Sequence, residues 1–231
     1  CLQAAVLHRD RFKPTSTSTN RKLDIGRFNS DILSHTNDPS ILNQGTINAD
    51  TAGGNLDIGY NRGNTFTNQG TINVSAGTLQ LSGNMTKAGL GTIVRTGGTI
   101  NLSGVLDLQG GSWDLNASTG SWNLLGGTVK NGTISESGGA LLVMTASGGV
   151  LQGITLNGDL DLTQVSNASV GVLGGLVLNG SMLLGNTAGT TYGRVYFGDS
   201  SSASGGITTT STATVVFGGS SNNFLRNESN L

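Results

Sequence analysis

From Ile41 onward, apolar and polar side chains alternate in short runs. Thr71-Ile72-Asn73-Val74, Thr78-Leu79-Gln80-Leu81, Thr99-Ile100-Asn101-Leu102, Val105-Leu106-Asp107-Leu108 and Asp159-Leu160-Asp161-Leu162 each place apolar residues two apart. Residues two apart on an extended chain share a face, so Ile72 and Val74 point one way while Thr71 and Asn73 point the other. This period predicts strands, and helical spacing appears nowhere. Between the runs lie corners of small residues, among them Ser75-Ala76-Gly77, Ser82-Gly83-Asn84, Gly97-Gly98 and Gly110-Gly111, with the turn dipeptides Asn131-Gly132, Asn157-Gly158 and Asn179-Gly180. Strands of about three to five residues are too short to stand alone.

The runs also repeat. Asn-Gln-Gly-Thr-Ile-Asn occurs at Asn43–Asn48 and again at Asn68–Asn73. Gly97-Gly98-Thr99-Ile100 returns as Gly126-Gly127-Thr128-Val129, Ile154–Leu162 returns as Leu176–Leu184, and Tyr196–Ser201 returns as Val216–Ser221. A period of roughly 20–29 residues, built from short strands and glycine corners, marks a solenoid. The expected fold is therefore all-β, a single-stranded parallel β-helix in which each unit forms one coil. Successive coils would pair at about 4.8 Å and bury ladders of Leu, Ile and Val. Trp113 and Trp122, in the near-copies Gly111–Leu115 and Gly120–Leu124, are expected to point inward. A β-sandwich also alternates and recurs, but its strands need not resemble one another as these do.

Residues 1–40 stand apart. They carry six of the twelve Lys and Arg, both histidines (His8, His35), both prolines (Pro14, Pro39) and the single cysteine, Cys1, without a copy of the repeat. The expected organisation is a non-repetitive leader or cap over 1–40, flexible or irregular, followed by β-helix repeats over 41–231 that form a fragment of a longer array. A solenoid's first coil has an open edge that such a segment can cover. A Cys in first place would suit a lipidated bacterial lipoprotein; a fragment that begins at Cys is the preferred reading.

Composition narrows the function classes. Charged residues make up 11% of the 231 and the formal net charge is −1, so no global field favours nucleic acid or anionic lipid. The 38 glycines come with two prolines, which excludes collagen. No apolar stretch approaches the ~20 residues of a membrane helix, and Leu2–Leu7 is too short for the apolar part of a signal peptide. One cysteine permits no internal disulfide.

Candidate chemistry is sparse. A nucleophilic triad or a zinc site needs histidine or cysteine, and these all lie in the leader. The Gly-Gly pairs never continue into a calcium-roll motif. Asp57, Asp107 and Asp161 each sit between two inward apolar residues and are expected to face solvent, while Asp159 and Asp161 share one strand face. Thr208, Thr210, Thr212 and Thr214 alternate as ice-binding threonine arrays do, although β-propensity alone accounts for them. The expectation is no catalytic residues, no metal site and no cofactor.

Asn68–Gly83 and Ala213–Ser220 resemble repeats of large bacterial exoproteins, the autotransporter passengers and filamentous-haemagglutinin-like adhesins. The resemblance covers about residues 41–231. It implies a right-handed β-helix that is secreted or held at the cell surface, is non-catalytic, and presents binding surfaces to host or cell-surface glycans or proteins. Neighbouring repeats of a longer chain would be its other partner, with no nucleic acid and no membrane span. The competing expectation is a carbohydrate-active β-helix enzyme, of the polysaccharide lyase or hydrolase type, with an acidic groove of outward Asp residues. An ice-binding solenoid is a third.

Overall fold

A computed structural model describes residues 22–24, 30–32, 40–59, 64–198, 204–210 and 212–228. It divides into two compact units, Cys1–Gly104 and Val105–Leu231.

The first unit contains β1 (Lys22–Asp24), β2 (Ser30–Ile32), β3 (Ser40–Asn43), β4 (Thr46–Ala49), β5 (Asn55–Ile58), β6 (Thr65–Asn68), β7 (Thr71–Val74), β8 (Thr78–Leu81), β9 (Asn84–Thr86), the one-turn helix α1 (Lys87–Leu90), β10 (Thr92–Arg95) and β11 (Thr99–Leu102). The strands stack on three sides of a coil, in the orders β1-β4-β7-β10, β2-β5-β8-β11 and β3-β6-β9. Pairing is parallel, with Ile47 opposite Ile72 and Ile72 opposite Ile93. This is a β-solenoid. The alternation explains the core: Leu56, Leu79 and Ile100 form one ladder and Ile58, Leu81 and Leu102 another, all at most 1% exposed. Each such side chain contributes about 1.5–3 kcal/mol by leaving water. β1 and β2, within the segment read as non-repetitive, pair parallel with β4 and β5.

The exact hexapeptide repeat is a true coil step. Asn43 stands opposite Asn68, and Asn48 opposite Asn73. Asn43 Nδ2 donates to Asn68 Oδ1 at 2.7 Å, Asn73 Nδ2 to Asn48 Oδ1 at 2.8 Å, and Gln44 Nε2 to Gln69 Oε1 at 3.1 Å. Identical amides stacked in register are donor to one neighbour and acceptor to the other. The stack ends on α1, where Asn68 Nδ2 reaches the Leu90 and Thr92 carbonyls. This turn of helix is one feature that apolar spacing did not predict; Thr86 caps it by accepting from the Gly89 amide at 3.0 Å.

The second unit contains β12 (Val105–Asp107), β13 (Ser112–Leu115), β14 (Trp122–Leu124), β15 (Thr128–Glu136), β16 (Leu142–Met144), β17 (Val150–Asn157), β18 (Leu160–Leu162), β19 (Ala168–Leu178), β20 (Met182–Leu184), β21 (Gly193–Phe197), β22 (Ile207–Thr209), β23 (Val215–Phe217) and β24 (Phe224–Asn227). It too is a parallel solenoid. β15 receives β12 on one half and β13 on the other, then β17 and β19 follow, and β19 carries β21 and β22. β14 pairs with β16, and β18-β20-β23 form a separate sheet. The strand lengths correct the expectation of uniformly short runs, because β15, β17 and β19 span 9, 8 and 11 residues. A left-handed residue bends each one in mid-strand (Asn131 at φ 59°, Gly153 at φ 59°, Gly174 at φ 63°), and the parallel pairing skips these residues and resumes beyond them, so one strand covers two sides of the coil.

Two of the four repeats are not neighbours. Ile100 stacks on Leu79, whereas Val129 stacks on Leu106 and Leu151. Tyr196 pairs with Gly171 and Arg226, whereas Val216 pairs with Leu183. The Ile154–Leu162 repeat is a true step, with Ile154 on Leu176 and Leu160 on Met182. Trp113 and Trp122 are buried, as expected, and meet edge to face with centroids 5.1 Å apart.

Candidate functional site

The carboxylates divide by environment. Asp107 ends β12 at the coil surface. The Gln109 amide donates to its Oδ1 at 3.0 Å, Asn131 Nδ2 donates at 3.2 Å, and Lys130 Nζ lies 3.5 Å from Oδ2. These donors, the Gln109 amide first, hold its carboxyl below the usual range. Such a group stays ionised and paired; it shapes the turn into Gln109, itself left-handed at φ 52°.

Asp57 and Asp161 correct the solvent-facing expectation, since only 3% and 8% of their surfaces are exposed. Both point away from the ladder, but polar neighbours cover them. Asp57 accepts from Ser82 Oγ at 2.5 Å and Gln80 Nε2 at 2.8 Å, and Ser82 Oγ also meets Ser103 Oγ at 2.8 Å. Asp161 accepts from the Thr163 amide at 2.7 Å and Gln164 Nε2 at 3.0 Å, closing a local Asx-type turn. Asp159 is exposed and accepts from the Ser181 amide one coil on, at 2.7 Å.

Glu136, at the end of β15, is the residue that sequence reasoning missed. The Leu142 amide donates to its Oε1 at 2.7 Å. Its Oε2 is buried without a well-formed hydrogen bond and packs where a side chain on Gly158 would otherwise sit. Burial pushes the carboxyl up to about 7, with the negative charges of Asp159 and Asp161 adding to the rise; the Leu142 and Asp159 amides pull the other way. No sequence signal marked it: Ser135-Glu136-Ser137 has no partner at a telling spacing. Glu136, Asp159 and Asp161 thus form an acidic neighbourhood between successive coils.

A surface groove of about 570 Å³ lies elsewhere in this unit, across the outer faces of β17, β19 and β22. Gly153, Gly174, Gly175 and Gly206 floor it, and Thr155, Val177 and Thr208 stand in register along it. Its lining is uncharged, so the groove and the carboxylates are different places. Thr208 stands on Val177 rather than on another threonine; Thr210, Thr212 and Thr214 are exposed. Cys1, His8 and His35 lie outside the described residues. Among the described residues no group of three or more His, Cys, Asp or Glu is placed to hold a metal ion, and no helix is long and apolar enough to cross a membrane.

Compared with known protein families, curated proteins and solved structures, the chain matches none.

Proposed function

We propose that this chain is a structural and binding segment of a secreted or surface-exposed bacterial protein, of the adhesin or autotransporter-passenger kind, acting without catalysis. The observation that carries the reading is the in-register parallel stacking of coils, clearest at the repeated hexapeptide, where Asn43 lies on Asn68 and Thr46–Asn48 on Thr71–Asn73. Repetition at this level serves length and surface, because each coil needs only its neighbours to bury its ladder. The resemblance of Asn68–Gly83 to exoprotein repeats supplies the cellular setting, outside the cell or on its surface, with glycans or proteins as partners. The test is retention of the purified chain on a panel of glycans and cell-surface proteins, together with a polysaccharide cleavage assay. Binding without turnover is the expected result; turnover above blank overturns it.

The enzymatic alternative has one observation in its favour. A carboxyl poised near 7 beside two others is what a general acid needs. Against it, the Glu136 Oε2 packs on Gly158 and not into the groove. Replacing Glu136 by Gln, and separately Asp107, Asp159 and Asp161 together by Asn, would abolish turnover if the alternative holds.

A further inference from the structure

β21 and β24 lie side by side with Arg194 opposite Phe224 and Tyr196 opposite Arg226. Val195, between Arg194 and Tyr196 on β21, is fully buried, so Arg194 and Tyr196 share the outer face of β21, and their partners Phe224 and Arg226 that of β24. The four side chains form a checkerboard. The Arg194 guanidinium lies over the rings of Tyr192 and Phe224, at 4.9 and 5.5 Å from their centroids, and that of Arg226 lies over Phe224 at 5.1 Å. Tyr196 meets Phe224 edge-on at 5.3 Å. Stacking uses the flat faces of a guanidinium and fixes its plane, leaving the N–H edges to donate.

Those edges are poorly satisfied. Arg194 Nε is buried without a partner, and Nη2 reaches only the Tyr192 hydroxyl, at 3.4 Å. Arg226 makes an ion pair of 3.6 Å with Glu228 and keeps more than half of its side chain in solvent. The unit's remaining cation, Lys130, pairs with Asp107 at 3.5 Å and is less exposed than Arg226. Two oriented guanidinium forks on adjacent coils, set among aromatic rings, match a ligand that alternates anionic groups with flat apolar faces. An acidic sugar chain has this chemistry: carboxylates or sulfates accept from the forks in pairs, and the C–H faces of the rings rest on tyrosine. Nucleic acid fits worse, since two cations neutralise too few phosphates to hold it at physiological salt.

We propose that the outer face of β21 and β24 binds an acidic polysaccharide through Arg194 and Arg226, with Tyr192 and Tyr196 as its apolar platform. The proposal deepens the binding reading above and rests on it. The test measures affinity of the full chain for polygalacturonate (carboxylate), chondroitin sulfate (carboxylate and sulfate), neutral dextran and poly-glutamate, at low and high salt. Wild type is expected to bind one or both acidic polysaccharides over dextran and poly-glutamate, more weakly as salt rises. Arg194→Gln with Arg226→Gln is expected to lower that affinity at least tenfold. Arg194→Lys with Arg226→Lys keeps the charge but loses the planar fork, and is expected to lower it several-fold. Unchanged thermal unfolding of both variants excludes misfolding as the cause. Equal binding by wild type and the Gln variant, or poly-glutamate bound as tightly as the polysaccharides, overturns the site while leaving a binding role intact. No retention on any surface of the wider panel overturns both.

Discussion

At the scale of single residues, Glu136 and Gly70 carry the clearest consequences. The Glu136 carboxyl titrates near 4.5 in an unfolded chain and at about 7 in the fold. Between those values the folded state holds a proton that the unfolded state has lost, so stability falls as pH rises from about 4.5 to 7 and is flat beyond. The full loss is on the order of 2 kcal/mol, allowing for partial exposure. Glu136→Gln keeps the shape without the charge, so thermal unfolding of that variant should lose this acid-side advantage and exceed wild type at pH 8. A wild-type melting temperature that does not fall across that window contradicts the assignment. Gly70 belongs to the repeated hexapeptide and passes close to the coil beneath; a Cβ there would run into the Gly45 carbonyl oxygen. Gly70→Ala should cost about 2 kcal/mol or more in chemical denaturation, because backbone rather than a flexible side chain stands in the way.

These residues also show what could be read from the chain. Asn43 and Asn68 were legible as a repeat because identical amides gain by stacking on each other. The burial of Asp57 was not, since its cover comes from Ser82, 25 positions away, and from Gln80 on the next coil. For Asp161 a signal existed in Thr163 and Gln164, an Asx-type turn inside an apparently solvent-facing run. Glu136 had no signal at all, since its neighbours are assembled only by stacking. The checkerboard of Arg194, Tyr196, Phe224 and Arg226 required a 30-residue step that the 20-residue likeness of Tyr196–Ser201 to Val216–Ser221 concealed.

At the scale of elements, the amide stack ties three strands and a helix together. Asn68 accepts from Asn43 and donates to the carbonyls of Leu90 and Thr92. Truncating it leaves a buried amide and two carbonyls without their partner, at about 1–3 kcal/mol for each group stranded. Asn68→Ala should therefore destabilise the first unit more than Asn73→Ala, whose site is only half-buried; hydrogen exchange at α1 and β10 should rise with it. Equal effects of the two substitutions would show that the stack does not brace α1. The long strands β15, β17 and β19 make a related point. Asn131-Gly132 reads as a turn that ends a run, yet β15 continues past it, and Gly153 and Gly174 bend β17 and β19 in the same left-handed way.

At the scale of the second unit, the apolar ladder of the described residues becomes exposed at β22–β24. Val215 and Phe217 stand on Met182 and Leu184, which are fully buried, yet are 44% and 53% exposed; Ile207 and Leu225 continue buried ladders in the same way. An apolar face with strand edges beside it is a stacking surface. Val215→Lys with Phe217→Lys should lower self-association in sedimentation and reduce binding of a hydrophobic dye, while changing stability by less than about 1 kcal/mol. Unchanged association would mean that this face is inert.

The proposal for function stands on coils stacked in parallel, and that arrangement is open to one direct measurement. Backbone proton contacts from an isotope-labelled NMR sample distinguish the arrangements without assumption. The account predicts contacts at a constant offset along each sheet: Thr78 to Thr99 and Leu81 to Leu102, Val150 to Gly171 and Leu151 to Val172. Contacts whose partners instead run backwards, so that advancing one strand retreats along the other, would reveal antiparallel hairpins and contradict it.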